Sequence, residues 1–299
     1  MDRHAPEPTS PTAEFGKGFV IQPTTDHEYT AILIHPFRID GKELVVDLVE
    51  ELYASWPSDR TIPTDVLSGW RVVLPSSPKT WSDIFAKDVA AWFQVAIFGA
   101  DPLTDTTAGQ DREVGGIRAA VPYIDYLLDE EIAALGGAAE RVFLGGSAKA
   151  LAVGIWTLLS QQDPVRRLGA FVGVSSWLPF AENVQRVLGS PRAGATEAGT
   201  QNHGDVFVED MMAPLLQLHA HGPMPNLATP IFLSHGTEDV HVDVELGRQV
   251  RDVLTRAGFQ VRWREYIGPG GQGNWLKVPE EMEDIAHFTG WLGCRRAVS

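Results

Sequence analysis

Apolar residues along the chain fall into two alternating patterns. Candidate strand segments, most of them short and nearly continuous in Val, Ile, Leu and Phe, occur at 18–22, 30–35, 70–74, 141–146, 169–174, 230–235 and 260–266. Runs of this length, with few polar interruptions, predict strands covered on both faces. Between them, Leu44, Leu48 and Leu52 lie on one helical face, as do Ile117, Val121, Ile124 and Leu128, and later Leu246, Val250, Val253 and Leu254. Each set predicts a helix that packs by one apolar stripe and does nothing else. Strand and helix in alternation build βαβ units, so the predicted fold is α/β, a mostly parallel central sheet with helices on both faces.

The pattern fades at two places. Residues 1–14 are rich in Pro, Thr and charge without apolar periodicity, and read as a disordered N-terminal tail. A stretch from Gly189 to Gly204 is rich in Gly, Ala, Thr and Ser and runs into the helix-like segment Val206 to His219. It reads as a small lid-like insertion around 186–226 within one domain spanning 15–299. The sequence carries no internal repeat that would suggest a second domain.

Composition narrows the partners. A hydrophobic fraction of 44% and a charged fraction of 21% fit a packed core. The net charge of −15, with only 24 scattered basic residues, argues against nucleic acid. Cys294 is the one cysteine, which excludes an internal disulfide and points to a reducing compartment. The acidic, proline-bearing N-terminus lacks the apolar centre of a signal peptide, and no run is long enough to span a bilayer, so a cytoplasmic location is expected. The nine histidines form no H-x-x-x-H or H-E-x-x-H pair, and Gly268 to Gly273 precedes no P-loop lysine. Neither a metal nor a cofactor is expected, and a homodimer is compatible with the chain.

In open α/β sheets ligands bind at the carboxyl ends of the strands. Four segments of this sequence fall there: His35-Pro36-Phe37-Arg38, Gly145-Gly146-Ser147-Ala148-Lys149-Ala150, His235-Gly236-Thr237-Glu238-Asp239 and Gly271-Gln272-Gly273-Asn274-Trp275. The second joins the run Val142-Phe143-Leu144 to an apolar helix through Leu151, Ile155, Trp156 and Leu159. Strand, tight turn and helix in that order are the setting of a nucleophile elbow.

From about Ile32 to Leu292 the chain resembles the phospholipase and carboxylesterase family that includes the acyl-protein thioesterases, especially its fungal branch. The resemblance implies an α/β-hydrolase fold. In that family the strand ends Leu-Gly-Gly, followed by an apolar residue, the nucleophilic Ser, Gln and Gly. Without a gap, Ser147 falls on the apolar position, Ala148 on the nucleophile, Lys149 on Gln and Ala150 on Gly. The following segment, Ala152 to Leu159, resembles the family's helix in the same register. A register slipped by one residue makes Ser147 the nucleophile of G-x-S-x-K instead, with Lys149 where the motif wants Gly.

The resemblance also locates the remaining parts. Gly273-Asn274-Trp275, followed by Pro279-Glu280-Glu281, matches the frame that holds the family's histidine, and Asn274 stands in its place. An amide accepts no proton near neutral pH. Asp239 matches the family's acid, yet without an imidazole it has no triad task, and a loop hydrogen-bond acceptor is the plainer role. The oxyanion loop, His-Gly-x-Gly in the family, reads His35-Pro36-Phe37-Arg38 here. Pro36 has no N–H, and Phe37 and Arg38 are bulky where glycines would admit a substrate. The N–H of Lys149 would survive as one oxyanion donor, and the lysine's ammonium could stabilise charge at the site mouth.

These readings make Ala148, Ser147, Lys149, Asp239 and Asn274 the candidate catalytic positions. His35, Phe37, Arg38, Trp81, Trp92, Trp177 and Trp275 are the candidate substrate-binding residues, although each Trp also has an ordinary packing role available. The expected protein is a hydrolase-like scaffold without its Ser-His-Asp triad, binding an apolar or partly polar small molecule and promoting a non-hydrolytic step in secondary metabolism. The alternatives are a non-catalytic binder of an acyl ligand or protein partner, and a residual carboxylesterase or thioesterase using Ser147.

Overall fold

The structure is a computed structural model that describes residues 15, 18–35, 68–82, 87–93, 107–189, 203–218, 225–267, 277 and 280–290. Through these residues the chain runs β1 (Phe19–Ile21), β2 (Tyr29–Ile34), β3 (Trp70–Leu74), β4 (Lys79–Ser82), β5 (Lys87–Ala90), α1 (Thr107–Ala134), β6 (Val142–Ser147), α2 (Leu151–Leu159), β7 (Ala170–Val174), α3 (Ala181–Gly189), α4 (His203–Leu218), β8 (Ile231–Gly236), α5 (Val244–Arg256), β9 (Val261–Tyr266) and α6 (Glu280–Phe288).

Seven of the strands form one sheet in the order β1-β3-β2-β6-β7-β8-β9. Only β1 runs antiparallel to its neighbour, β3; the other pairs are parallel. Ile34 pairs with Gly146, Gly146 with Gly173, and Gly173 with Leu233. The carboxyl ends of β2, β6, β7 and β8 therefore lie side by side and form one edge.

The predicted strands all occur, shifted by a residue or so at their ends. The run expected at 141–146 is paired over Val142–Ser147, which carries Ser147 into the strand. One hairpin was not legible: β4 and β5 pair antiparallel in a separate small sheet. Its Lys, Thr, Asp and Ser residues break any apolar run, and Lys87 and Asp88 are exposed, so the hairpin lacks the two-sided burial that marks the central strands.

Every residue of α2 is buried. Two glycines let it sit that low on the sheet. A methyl group on Gly154 would lie 3.1 Å from the Phe171 ring and 3.2 Å from Ile34, and one on Gly173 would lie 2.4 Å from Leu151. Backbone therefore meets side chain where two side chains would collide. The stripe Ile117, Val121, Ile124 and Leu128 of α1 is buried in the same core, as are Val250, Val253 and Leu254 of α5, and Leu246 of α5 is buried too. The stripe Leu44, Leu48 and Leu52 lies outside the described residues.

At the opposite edge, polar groups close the core. Glu131, buried near the end of α1, accepts the Thr30 hydroxyl at 3.0 Å and the Arg71 guanidinium at 3.0 Å. Arg166, also buried, pairs with Asp125 and Asp129 of α1. No helix among the described residues is long and apolar enough to cross a membrane.

Candidate active site at the carboxyl edge of the sheet

The chain leaves β6 and enters α2 through a single 3-10 turn, Ala148–Ala150. To turn that sharply, Ala148 takes φ 54° and is buried. Left-handed backbone is unfavourable for a residue with a Cβ, by about 1–2 kcal/mol, and sharp strand-to-helix turns are where such strain collects. Ser147, one residue earlier, is the last paired residue of the strand, opposite Val174 of β7. Because side chains alternate across a strand, Ser147 shares a sheet face with Val174 and, through the next pair, Ser234. Lys149 contributes its backbone to the 3-10 turn; its side chain lies outside the described residues, as do Phe37, Arg38, Asn274 and Trp275 altogether.

His35 follows β2 directly and is buried, with its ring 5.4 Å from that of Trp92. Its Nε2 accepts the Ser77 N–H at 3.4 Å, and its carbonyl accepts the Trp92 indole N–H at 3.1 Å. An accepting Nε2 belongs to a neutral imidazole protonated at Nδ1. Behind Trp92, Phe15 stacks on Tyr123 at 4.4 Å. Burial pushes the Tyr123 hydroxyl above the usual range, against the lowering effect of its hydrogen bond with the Ser76 backbone.

Of the candidate tryptophans, Trp92 is buried in this aromatic group, and Trp177 is half-buried with its ring 6.1 Å from Phe93. Trp92, Phe93 and Trp177 thus line the region after β5 and β7. Trp81 sits elsewhere, on the β4–β5 hairpin and 54% exposed.

After β7 the backbone bends again. Ser175 has φ 51°, and its N–H donates to the Ser234 carbonyl at 2.9 Å. Ser176 is fully buried and its hydroxyl has no hydrogen-bond partner. Phe180 has φ 64° and packs its ring 4.7 Å from Phe207 of α4.

Asp239 lies in the turn after β8. Its Oδ1 accepts the N–H groups of His241 at 2.8 Å and Val242 at 3.0 Å, while Oδ2 is buried without a partner. His235 Nε2 lies 3.8 Å from that oxygen but hydrogen-bonds the Val242 carbonyl at 2.8 Å, which makes Nε2 the protonated nitrogen. Desolvation holds the His235 pKa below the ordinary imidazole value, outweighing the Val242 hydrogen bond and the charge of Asp239.

One titratable group was missed by the sequence reading. Glu281, in the first turn of α6, is buried, and its Oε2 accepts the Lys277 N–H at 2.6 Å. Burial raises its pKa, although Ser234 and the Lys277 N–H pull the other way. The only sequence signal was the pair Glu280-Glu281 directly after Pro279, which reads as an ordinary acidic first turn of a helix.

Chemically, this edge offers a fixed carboxylate, neutral imidazoles and an aromatic group, with a methyl at the strand-to-helix turn. No group of three or more His, Cys, Asp or Glu residues among the described residues is placed to hold a metal ion.

No family model matches the chain. It is similar to acyl-protein thioesterase 1 of Gibberella zeae, 26% identical over 219 residues that cover 73% of this chain and 75% of that protein. It is likewise similar to acyl-protein thioesterase 1 of Emericella nidulans, 22% identical over 279 residues that cover 90% and 92% of the two chains. Among solved structures, Zea mays acyl-protein thioesterase 2 superposes with a TM-score of 0.58 at 21% identity, covering 94% of this chain and 99% of its own. Arabidopsis thaliana SOBER1 gives 0.58 at 19% identity, covering 87% and 97%.

Proposed function

We propose that this chain, a relative of the fungal acyl-protein thioesterases on an α/β-hydrolase fold, has lost the Ser-His-Asp triad and uses the former cleft for a non-hydrolytic reaction of a small molecule. The observation that supports this reading is the backbone of Ala148, bent to φ 54° at the junction of β6 and the turn into α2. That is the conformation and place of an elbow nucleophile, and a methyl group there has neither a proton to give nor a lone pair to attack with. Asn274 stands at the histidine position of the resemblance, and a nucleophile and base that act together lose on the order of a million-fold when either goes.

A cyclisation, isomerisation or pericyclic step depends on shape, aromatic walls and placed hydrogen bonds more than on a nucleophile. The aromatic group of Trp92, Phe93 and Trp177 and the anchored carboxylate of Asp239 supply features of that kind. The ligand is apolar or partly polar, the setting secondary metabolism in the cytoplasm, and the insertion around 186–226 serves as a lid; a homodimer fits this reading.

Treatment of the full chain with a fluorophosphonate probe tests it. No labelling is expected, together with turnover of a member of a natural-product library. Labelling that disappears in Ser147→Ala would identify a residual esterase and end the proposal, and binding without turnover would identify a non-catalytic binder.

A further inference from the structure

Helix α6 is held on the sheet by a face that carries two carboxylates. Glu281 and Asp284 stand one turn apart on it, and Phe288, one turn further, sets its ring 5.4 Å from Phe232 of β8. Asp284 takes the partners: it accepts the Tyr266 hydroxyl of β9 at 2.7 Å and lies 3.8 Å from the guanidinium of Arg264. Glu281, only 3% exposed, has the Lys277 N–H on Oε2. Ser234 of β8 also favours the charged form, yet its hydroxyl donates to the Gly173 carbonyl at 3.4 Å, and Oε1 of Glu281 is left without a hydrogen-bond partner.

No cation among the described residues offsets this burial. Arg264 is half exposed and sits beside Asp284, whose own charge opposes ionisation of Glu281. Glu280, Glu283 and His287 of α6 are exposed, and His235, next to Ser234 in β8, points to the opposite face of the sheet against α5. A carboxylate so placed avoids a buried charge either by keeping its proton or by returning to water. The second route is open here, because α6 has nine residues of which only Glu281 and Ala286 are buried, and short, partly exposed elements open locally more readily than the core.

We propose that Glu281 makes α6 a proton-operated latch: with the carboxyl protonated the helix stays on β8 and β9, and ionisation releases it while the rest of the sheet stays folded. In the chain α6 follows the segment that carries Asn274, so release frees one of the two ends of that segment. The latch goes beyond the reaction proposed for the cleft and does not depend on it. Burial holds the Glu281 carboxyl above the ordinary 4.5, so docking is complete below 4.5 and is lost as pH rises through the folded value.

Hydrogen–deuterium exchange of the full chain between pH 4.5 and 9, with labelling times scaled to constant chemical exchange, tests the latch. Protection of peptides covering α6 is expected to fall by up to about tenfold per pH unit and then level off, while peptides of α5 keep theirs. In Glu281→Gln, which accepts the Lys277 N–H but cannot ionise, α6 is expected to stay protected throughout. In Asp284→Asn, which still accepts the Tyr266 hydroxyl, the fall is expected to level off at a lower pH, because the neighbouring charge no longer holds the proton in place. Should Glu281→Gln fail to fold, the profile of the unaltered chain and the shift in Asp284→Asn decide alone. Flat protection in the unaltered chain, an equal fall in Glu281→Gln, or loss in α5 together with α6 overturns the inference.

Discussion

A methyl group on Gly247 would lie 2.3 Å from Nδ1 of His235. Helix α5 is therefore pressed against the edge of the buried ring at Nδ1, and that nitrogen has no hydrogen-bond partner. Burial disfavours the charged form of the ring and keeps it neutral.

The first prediction concerns acid. The folded value of His235 lies below the ordinary 6.5, so as pH falls through about 6.5 the unfolded chain takes up a proton that the folded chain refuses. Stability present above that value is lost below it. Thermal melts between pH 7.5 and 5 are expected to fall more steeply for the unaltered protein than for His235→Gln. Parallel slopes would refute the burial of a neutral ring.

Gly247→Ala is expected to destabilise by up to about 2 kcal/mol, read from the urea midpoint. Replacing Gly by Ala inside a helix normally gains about 1 kcal/mol. Here the added carbon would also lie 2.7 Å from Trp263, and overpacking of a buried site costs about 1–3 kcal/mol. The clash wins because His235 is enclosed and cannot swing aside.

Ala148→Gly is expected to stabilise by about 0.5–1 kcal/mol. Relief of left-handed strain is worth about 1–2 kcal/mol, less the roughly 0.4–1 kcal/mol that Gly loses through a freer unfolded chain. A denaturant titration showing a loss instead would mean that the turn does not need this backbone.

Glu281→Gln should raise the melting temperature at pH 7 and have little effect at pH 4. The folded value of Glu281 lies above the ordinary 4.5, so its contribution is fully present below 4.5 and is lost as pH rises through the folded value. Gln keeps the acceptor for the Lys277 N–H and removes the buried charge. A lower melting temperature at pH 7 would show that Ser234 and the Lys277 N–H stabilise the carboxylate by more than its burial costs.

Strands β7 and β8 were legible because burial on both faces forces continuous apolar runs, as in Ile231 to Leu233. The stripes of α1 and α5 were legible because one-sided burial imposes the helical period. What escaped depends on contacts between distant segments. The unequal oxygens of Asp239 follow from how the turn after β8 closes, and the burial of Glu281 follows from where α6 docks. The hairpin β4–β5 escaped because its Lys, Thr, Asp and Ser residues break any apolar run.

The enclosure of α2 on every side bears on how such a protein can change its chemistry. A helix with no outward face accepts few substitutions, and its first turn fixes where the preceding bend must stand. New reactions at this edge must therefore arise in the connecting segments, while the mount that carries them stays rigid.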